Sequence, residues 1–223
     1  MKEKNANLEV TILIIDQDLA ERDYKKFLKL VSKEKQERIG HFHFYKSAQT
    51  ALLADILARY EICKRTGLAN WQLHFSENEY GKPFLVNDPH VQYNLSHSGK
   101  YIAFAIDSKP VGIDVEQIKP IDFKIANRFF TADENHYITS QRVEMKTIAF
   151  YRIWTKKESY IKLEGKGLSI ALSSFSVLDN PIQKYRYHNM LEDRDDAVCS
   201  VCTASNKRPS CNILGSNEFL GHL

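Results

Sequence analysis

The stretch from Trp154 to Gly167 constrains the fold more than any other part of the chain. No glycine or proline interrupts it before Gly165, and Ile153, Trp154, Tyr160, Ile161 and Leu163 recur at near-helical spacing. That pattern predicts a helix from Met145 to Lys162. Glu158 and Lys162 stand four residues apart and therefore share one face. The helix stops at Gly165-Lys166-Gly167, where glycine permits left-handed torsions or the close approach of another backbone or a ligand. Taken alone, the Glu158/Lys162 pair also reads as an ordinary surface ion pair on a capped helix.

A second pair of acids gives the first one a context. Tyr101 to Ile106 and Val111 to Glu116 read as strands joined by the turn Asp107-Ser108-Lys109-Pro110, together a hairpin. Asp114 and Glu116 are two apart, so both carboxylates point to one face of their strand. Like charges side by side repel unless a cation lies between them, and carboxylates combined with substrate phosphates suit Mg²⁺ better than Ca²⁺. A solvent-facing strand edge is the competing reading.

Three further segments offer phosphate-binding chemistry. Tyr80-Gly81-Lys82-Pro83 is a rigid turn carrying a lysine. Tyr93-Asn94-Leu95-Ser96-His97-Ser98-Gly99 reads as a short strand running into a polar tip of several donors. No G-x-S-x-G elbow surrounds that tip, so an anion site fits it better than a Ser/His nucleophile. The early segment holding Lys35 and Arg38 is rich in basic residues, and Ser32 is placed to cap its helix.

Elsewhere the pattern predicts a strand over Leu8 to Ile15, a helix from Asp18 through Leu30, a longer helix capped by Ser47, and a strand over Trp71 to Phe75. Thr131-Ala132-Asp133-Glu134 is a T-x-x-E capping box, so a helix begins after Thr131. Strands are predicted over Phe175 to Leu178, Lys184 to Tyr187 and Ala197 to Thr203, and nothing regular from Ser205 onward.

Composition narrows the function classes. A net charge of +3 over 223 residues does not argue for nucleic acid. No segment approaches the roughly 20 apolar residues of a membrane helix, which points to a cytoplasmic protein. Cys199 and Cys202 have metal-like spacing, yet they lie in a predicted strand and so point to opposite faces. The Walker A spacing is absent, because Gly165-Lys166-Gly167 follows its helix rather than opening one.

Five motifs in order complete the reading: Gly81-Lys82-Pro83, Asn94-Leu95-Ser96-His97-Ser98, Gly112-Ile113-Asp114-Val115-Glu116, Phe129-Phe130 with Glu134, and Trp154-x-x-Lys157-Glu158-x-x-x-Lys162-x-x-Gly165-x-Gly167. Over roughly residues 8 to 203 the chain resembles the Sfp-type 4′-phosphopantetheinyl transferases, which move phosphopantetheine from coenzyme A to a serine of an acyl or peptidyl carrier protein. The resemblance implies an α+β fold of two similar subdomains, residues 1–105 and 106–223, related by a pseudo-twofold with coenzyme A in the cleft between them. It implies the bacterial type associated with nonribosomal peptide or polyketide synthesis, active as a monomer. Asp114, Glu116 and Glu158 would bind Mg²⁺ with the pyrophosphate. Lys162, Lys82 beside Pro83, and Ser96-His97 would contact phosphates, while Lys35 and Arg38 would hold the ribose 3′-phosphate. Glu158, directly or through a water on the metal, is the candidate base. The chain departs from the family at Ser47 and Thr50, where an Asp and an Arg are frequent. A Mg²⁺-dependent phosphohydrolase and an inactive carrier-binding module are the alternative readings.

Overall fold

The computed structural model describes residues 7–179, 184–192 and 194–223. In chain order the first half contains β1 (Glu9–Ile14), α1 (Glu21–Leu28), α2 (Lys33–Gly40), α3 (Tyr45–Thr66), β2 (Phe75–Glu77), β3 (Pro83–Leu85), β4 (Gln92–Ser98) and β5 (Tyr101–Asp107). Then follow β6 (Val111–Gln117), α4 (Lys124–Phe129), α5 (Ala132–Ser140), α6 (Val143–Glu164), β7 (Arg186–Asn189), β8 (Ala197–Thr203), β9 (Ser210–Gly215) and α7 (Ser216–Leu220). The fold is α+β, as expected.

Two sheets organise the molecule. One runs β4-β5-β1-β9 and the other β6-β8-β7, with β2 and β3 forming a small separate pair. Period-two alternation lets β1 serve two cores. Val10 and Ile12 join Tyr101, Ala103 and Ala105 against Val111, Ile113, Val115, Cys199 and Val201 of the other sheet. Leu13 instead faces the core built by Leu52, Leu53, Ile56 and Leu57 of α3. A third core gathers Phe150, Ile153, Ile161 and Leu163 of α6 over Val198 and Cys202. Cys199 and Cys202 thus point to opposite faces of β8, as strand geometry requires, and both are free thiols.

Several local expectations need correction. β5 and β6 do not form a hairpin: β5 pairs with β1 and β4, whereas β6 pairs with β8. The turn at 107–110 carries the chain from one sheet to the other. All seven residues of β5 are buried, so it occupies the middle of its sheet with both edges taken. Ser47 does not cap α3, which starts two residues earlier; the Ser47 amide already donates to the Phe44 carbonyl at 3.0 Å. The first helix begins at Glu21 with Ala20 in the capping position, so Asp18 lies outside it. Trp71 is 80% exposed in a single 3₁₀ turn, and the strand forms only from Phe75. Leu172–Ser174 is a 3₁₀ turn, with no strand over 175–178.

The tail is the largest correction. Residues after Ser205 are regular: β9 runs parallel to β1, from Glu9 opposite Ser210 to Ile14 opposite Gly215. Phe219 of α7 is fully buried in the α3 core and meets Tyr60 edge-on, with ring centroids 5.6 Å apart. A six-residue edge strand made mostly of exposed positions carries little periodic signal, which is why its register was not legible.

Candidate active site

Gly112 decides how close β6 and α6 come. A Cβ there would lie 2.0 Å from the Ser159 carbonyl oxygen and 2.4 Å from the Leu163 amide nitrogen. Only glycine admits that backbone-to-backbone contact, and it sets Asp114 and Glu116 beside the helix turn that carries Glu158 and Lys162.

β4 lies along the other flank of β6. The Asn94 carboxamide accepts from the Ile113 amide at 2.8 Å and so aligns the two strands. Ser96 and Ser98 fall at the same parity. The Ser96 hydroxyl donates to Asp114 Oδ1 at 2.8 Å, and the Ser98 hydroxyl donates to Glu116 Oε2 at 2.5 Å. Lys162 Nζ from α6 reaches both Asp114 Oδ1, at 2.6 Å, and Ser96 Oγ, at 2.8 Å. The helix-face argument therefore holds for Lys162, but its partner in the structure is Asp114 rather than Glu158.

The electrostatics are those of a cation-seeking cluster. Asp114 is 4% exposed, and burial lifts its carboxyl above the ordinary range while Lys162 and Ser96 oppose the rise. Burial also raises Glu116, against the Ser98 hydrogen bond and with a further push from Asp114. Glu158 is raised by burial and then by Asp114. All three acids feel the Lys162 ammonium, and Glu116 is also drawn down by Lys119. Asp114 Oδ2 is buried without a hydrogen-bond partner, a costly state for a carboxylate oxygen. Among the described residues no three acidic, imidazole or thiol groups converge as a ready-made metal site. Asp114 Oδ1 is committed to Lys162 and Ser96.

The remaining candidates divide among neighbouring hollows. Glu158, Lys162, Asn94, Leu95, Lys82 and Pro83 line one of about 310 Å³. Lys35 and Arg38 line another of about 620 Å³, which meets the first at Pro83 and Leu95. Lys35 Nζ also lies 3.6 Å from Asp55. Ser96 and His97 do not form a polar tip, because both belong to β4 and point to opposite faces. Ser96 joins the acids, while His97 faces a third hollow with Lys46, Ser47 and Thr50. Lys82 donates to the Leu163 and Val111 carbonyls at 2.9 and 3.3 Å.

Glu134 and Lys157, named above in separate motifs, turn out to be partners, which sequence spacing did not indicate. Lys157 and Glu134 form a fully buried ion pair at 2.8 Å, immediately behind Glu158. Lys157 Nζ also donates to the Leu172 carbonyl at 2.7 Å and lies 4.4 Å from the centre of the Phe175 ring. The signal was present as a lysine on the apolar side of the helix, at a position that amphipathic patterning reserves for the core.

Comparison with known proteins places the chain in a family. The profile described as "4′-phosphopantetheinyl transferase superfamily" matches residues 110–217, and "4′-phosphopantetheinyl transferase, N-terminal" matches residues 19–109. The chain is 40% identical over 165 residues to the 4′-phosphopantetheinyl transferase Sfp of Bacillus subtilis (strain 168), covering 74% of each chain. It belongs to the Sfp-type 4′-phosphopantetheinyl transferases. The transferase psf-1 of Bacillus pumilus is 41% identical over 162 residues, 73% of this chain and 70% of that one. A more distant relative is the L-aminoadipate-semialdehyde dehydrogenase-phosphopantetheinyl transferase of Rattus norvegicus. It is 29% identical over 185 residues, 74% of this chain and 60% of its own. The protein is thus an enzyme of phosphopantetheinyl transfer, and the two matched regions meet at residues 109 and 110, in the turn between the two sheets.

Proposed function

We propose that this transferase moves 4′-phosphopantetheine from coenzyme A to a serine of an acyl or peptidyl carrier protein and releases 3′,5′-ADP. The observation that carries the reading is the meeting of Lys162, Ser96 and Asp114 beside Glu116 and Glu158, with Asp114 Oδ2 buried and unsatisfied.

The donor set fits Mg²⁺, since three carboxylates with raised proton affinity and one orphaned oxygen want a hard cation. Asp114, Glu116 and Glu158 would hold it, and when bound it supplies positive charge to the coenzyme A pyrophosphate. Lys162 is the mobile charge of the site. Its ammonium, now 2.6 Å from Asp114 Oδ1, would stabilise the leaving phosphate oxygen as negative charge develops there, and an ion held by the carboxylates would supply further positive charge. Ser96 and His97 offer phosphate contacts on either side of β4, and Lys35 and Arg38 hold the ribose 3′-phosphate in the adjoining hollow. Glu158, whose proton affinity is already raised, takes the proton of the carrier serine. The serine oxygen then bonds to the pantetheine-side phosphorus, and the phosphorus–oxygen bond to 3′,5′-ADP breaks.

The reading extends to the whole chain. Two α+β halves meet near residue 105 around a pseudo-twofold, each with a 22-residue helix against its sheet. Coenzyme A lies in the cleft between them. One chain holds every residue named, so a monomer suffices, acting in the cytoplasm on nonribosomal peptide or polyketide carrier domains. The test is release of 3′,5′-ADP from coenzyme A with and without apo carrier protein in the presence of Mg²⁺. Release that depends on the carrier supports the assignment; equal release without it identifies a hydrolase instead.

A further inference from the structure

The glycine-rich end of α6 and the Lys82 turn have a joint explanation. Asn78 folds the turn upon itself, its side-chain oxygen accepting from the Tyr80 and Lys82 amides at 3.0 and 2.8 Å. The Asn78 and Lys82 backbones close the same loop at 2.9 Å. From this turn two side chains reach across to the second half. Asn78 Nδ2 donates to the Gly165 carbonyl at 2.8 Å, and Lys82 Nζ donates to the Leu163 carbonyl at 2.9 Å.

Both acceptors belong to the end of a helix, whose last carbonyls have no partner within it and where a cation is favoured by the helix dipole. A third bond from Lys82, to the Val111 carbonyl at 3.3 Å, ties in the start of β6. Gly165 is left-handed, with φ +67, and a Cβ there would stand 2.8 Å from Lys82 Cδ and 3.3 Å from Asn78 Nδ2. The glycine therefore ends the helix and leaves room for the lysine that crosses it. Reaching a phosphate would take the ammonium away from the Leu163 and Val111 carbonyls.

We infer that Lys82 is a positioning residue: with Asn78 it ties the turn of the first half to the end of α6 and the start of β6, the elements that carry Glu158, Lys162 and Asp114. The turn, not the ammonium, is its contribution to the hollow. The kinetic part of this inference rests on the transferase reading; the structural part does not.

Hydrogen exchange on the free protein separates the two. In Lys82→Met, which keeps the length of the side chain, and in Asn78→Ala, amides of residues 161–167 should exchange on the order of tenfold faster than in the wild type. In transfer assays both variants should lose kcat together, roughly tenfold, while KM for coenzyme A and its dependence on salt stay within about twofold of wild type. Lys82→Met that leaves exchange unchanged, or that raises KM roughly tenfold and flattens its salt dependence, marks a phosphate ligand and overturns the inference. Should Lys82→Met fail to fold, Asn78→Ala carries the same two readouts without removing a charge. If the wild type transfers nothing, the transferase reading fails while the exchange result still decides the strut.

Discussion

Asp114 spends one carboxylate oxygen on Lys162 and Ser96 and leaves the other buried with no hydrogen-bond partner. That asymmetry makes it the residue on which the site depends. Asp114→Ala and Glu158→Ala are each expected to lower the transfer rate on the order of 10²-fold or more, by removing one electrostatic stabiliser, in steady-state assays with coenzyme A and apo carrier. Lys82 gives a different prediction, about pH and folding. Burial pulls its ammonium down from the ordinary 10.5 to about 8, against Glu164, which favours the charge. The unfolded chain therefore holds this proton to higher pH than the folded one, and the contribution of Lys82 to stability rises as pH goes from about 8 toward 10.5, while the buried thiols and phenols, whose proton affinity is raised, contribute in the opposite sense. The difference in denaturant midpoint between wild type and Lys82→Met should therefore shift in favour of the wild type across that window. Two-residue spacing alone put Asp114 and Glu116 on one face, and both do turn toward β4. The same parity rule, applied to Ser96 and His97, would have separated them; the expectation of a loop tip hid it, since the strand continues through Ser98.

At the scale of elements, the site depends on how closely α6 lies on β6, and Gly112 sets that distance. Gly112→Ala puts a methyl against backbone atoms of Ser159 and Leu163 that cannot move independently of the helix. It is expected to destabilise the protein by about 1–3 kcal/mol or more, read as a lowered denaturant midpoint at unchanged slope. The buried Lys157–Glu134 pair holds the opposite side of α6. Lys157→Met leaves Glu134 buried without its cation, and should cost about 3–5 kcal/mol in the same measurement. The helix itself was legible: its interruption-free run, its shared Glu158/Lys162 face and its glycine stop all correspond to α6, which ends at Glu164. Its partners were not. A local pattern reports which side of an element is apolar, not which sheet will cover it, and for that reason β5 and β6 read as a hairpin although they belong to different sheets.

Across the whole molecule, the two halves are joined more thoroughly than the order of elements suggests. Their sheets share the core of Ile12, Tyr101, Ala103, Ile113 and Val201, and β9 returns from the end of the chain to pair with β1. The parallel β1–β9 contact joins residues about 200 positions apart, and no short-range pattern encodes such a pairing. Function was legible for the opposite reason: its residues sit in compact motifs whose order along the chain survives whatever the topology does with them. The central claim is that this assembly modifies carrier serines, and mass spectrometry of the carrier tests it most directly. Incubated with the protein, coenzyme A and Mg²⁺, a panel of apo carrier proteins should include members that gain the mass of one phosphopantetheine. That gain should be absent when Ser is replaced by Ala at the carrier's attachment site. No mass gain on any carrier, under conditions where the protein is folded and coenzyme A intact, would contradict the account.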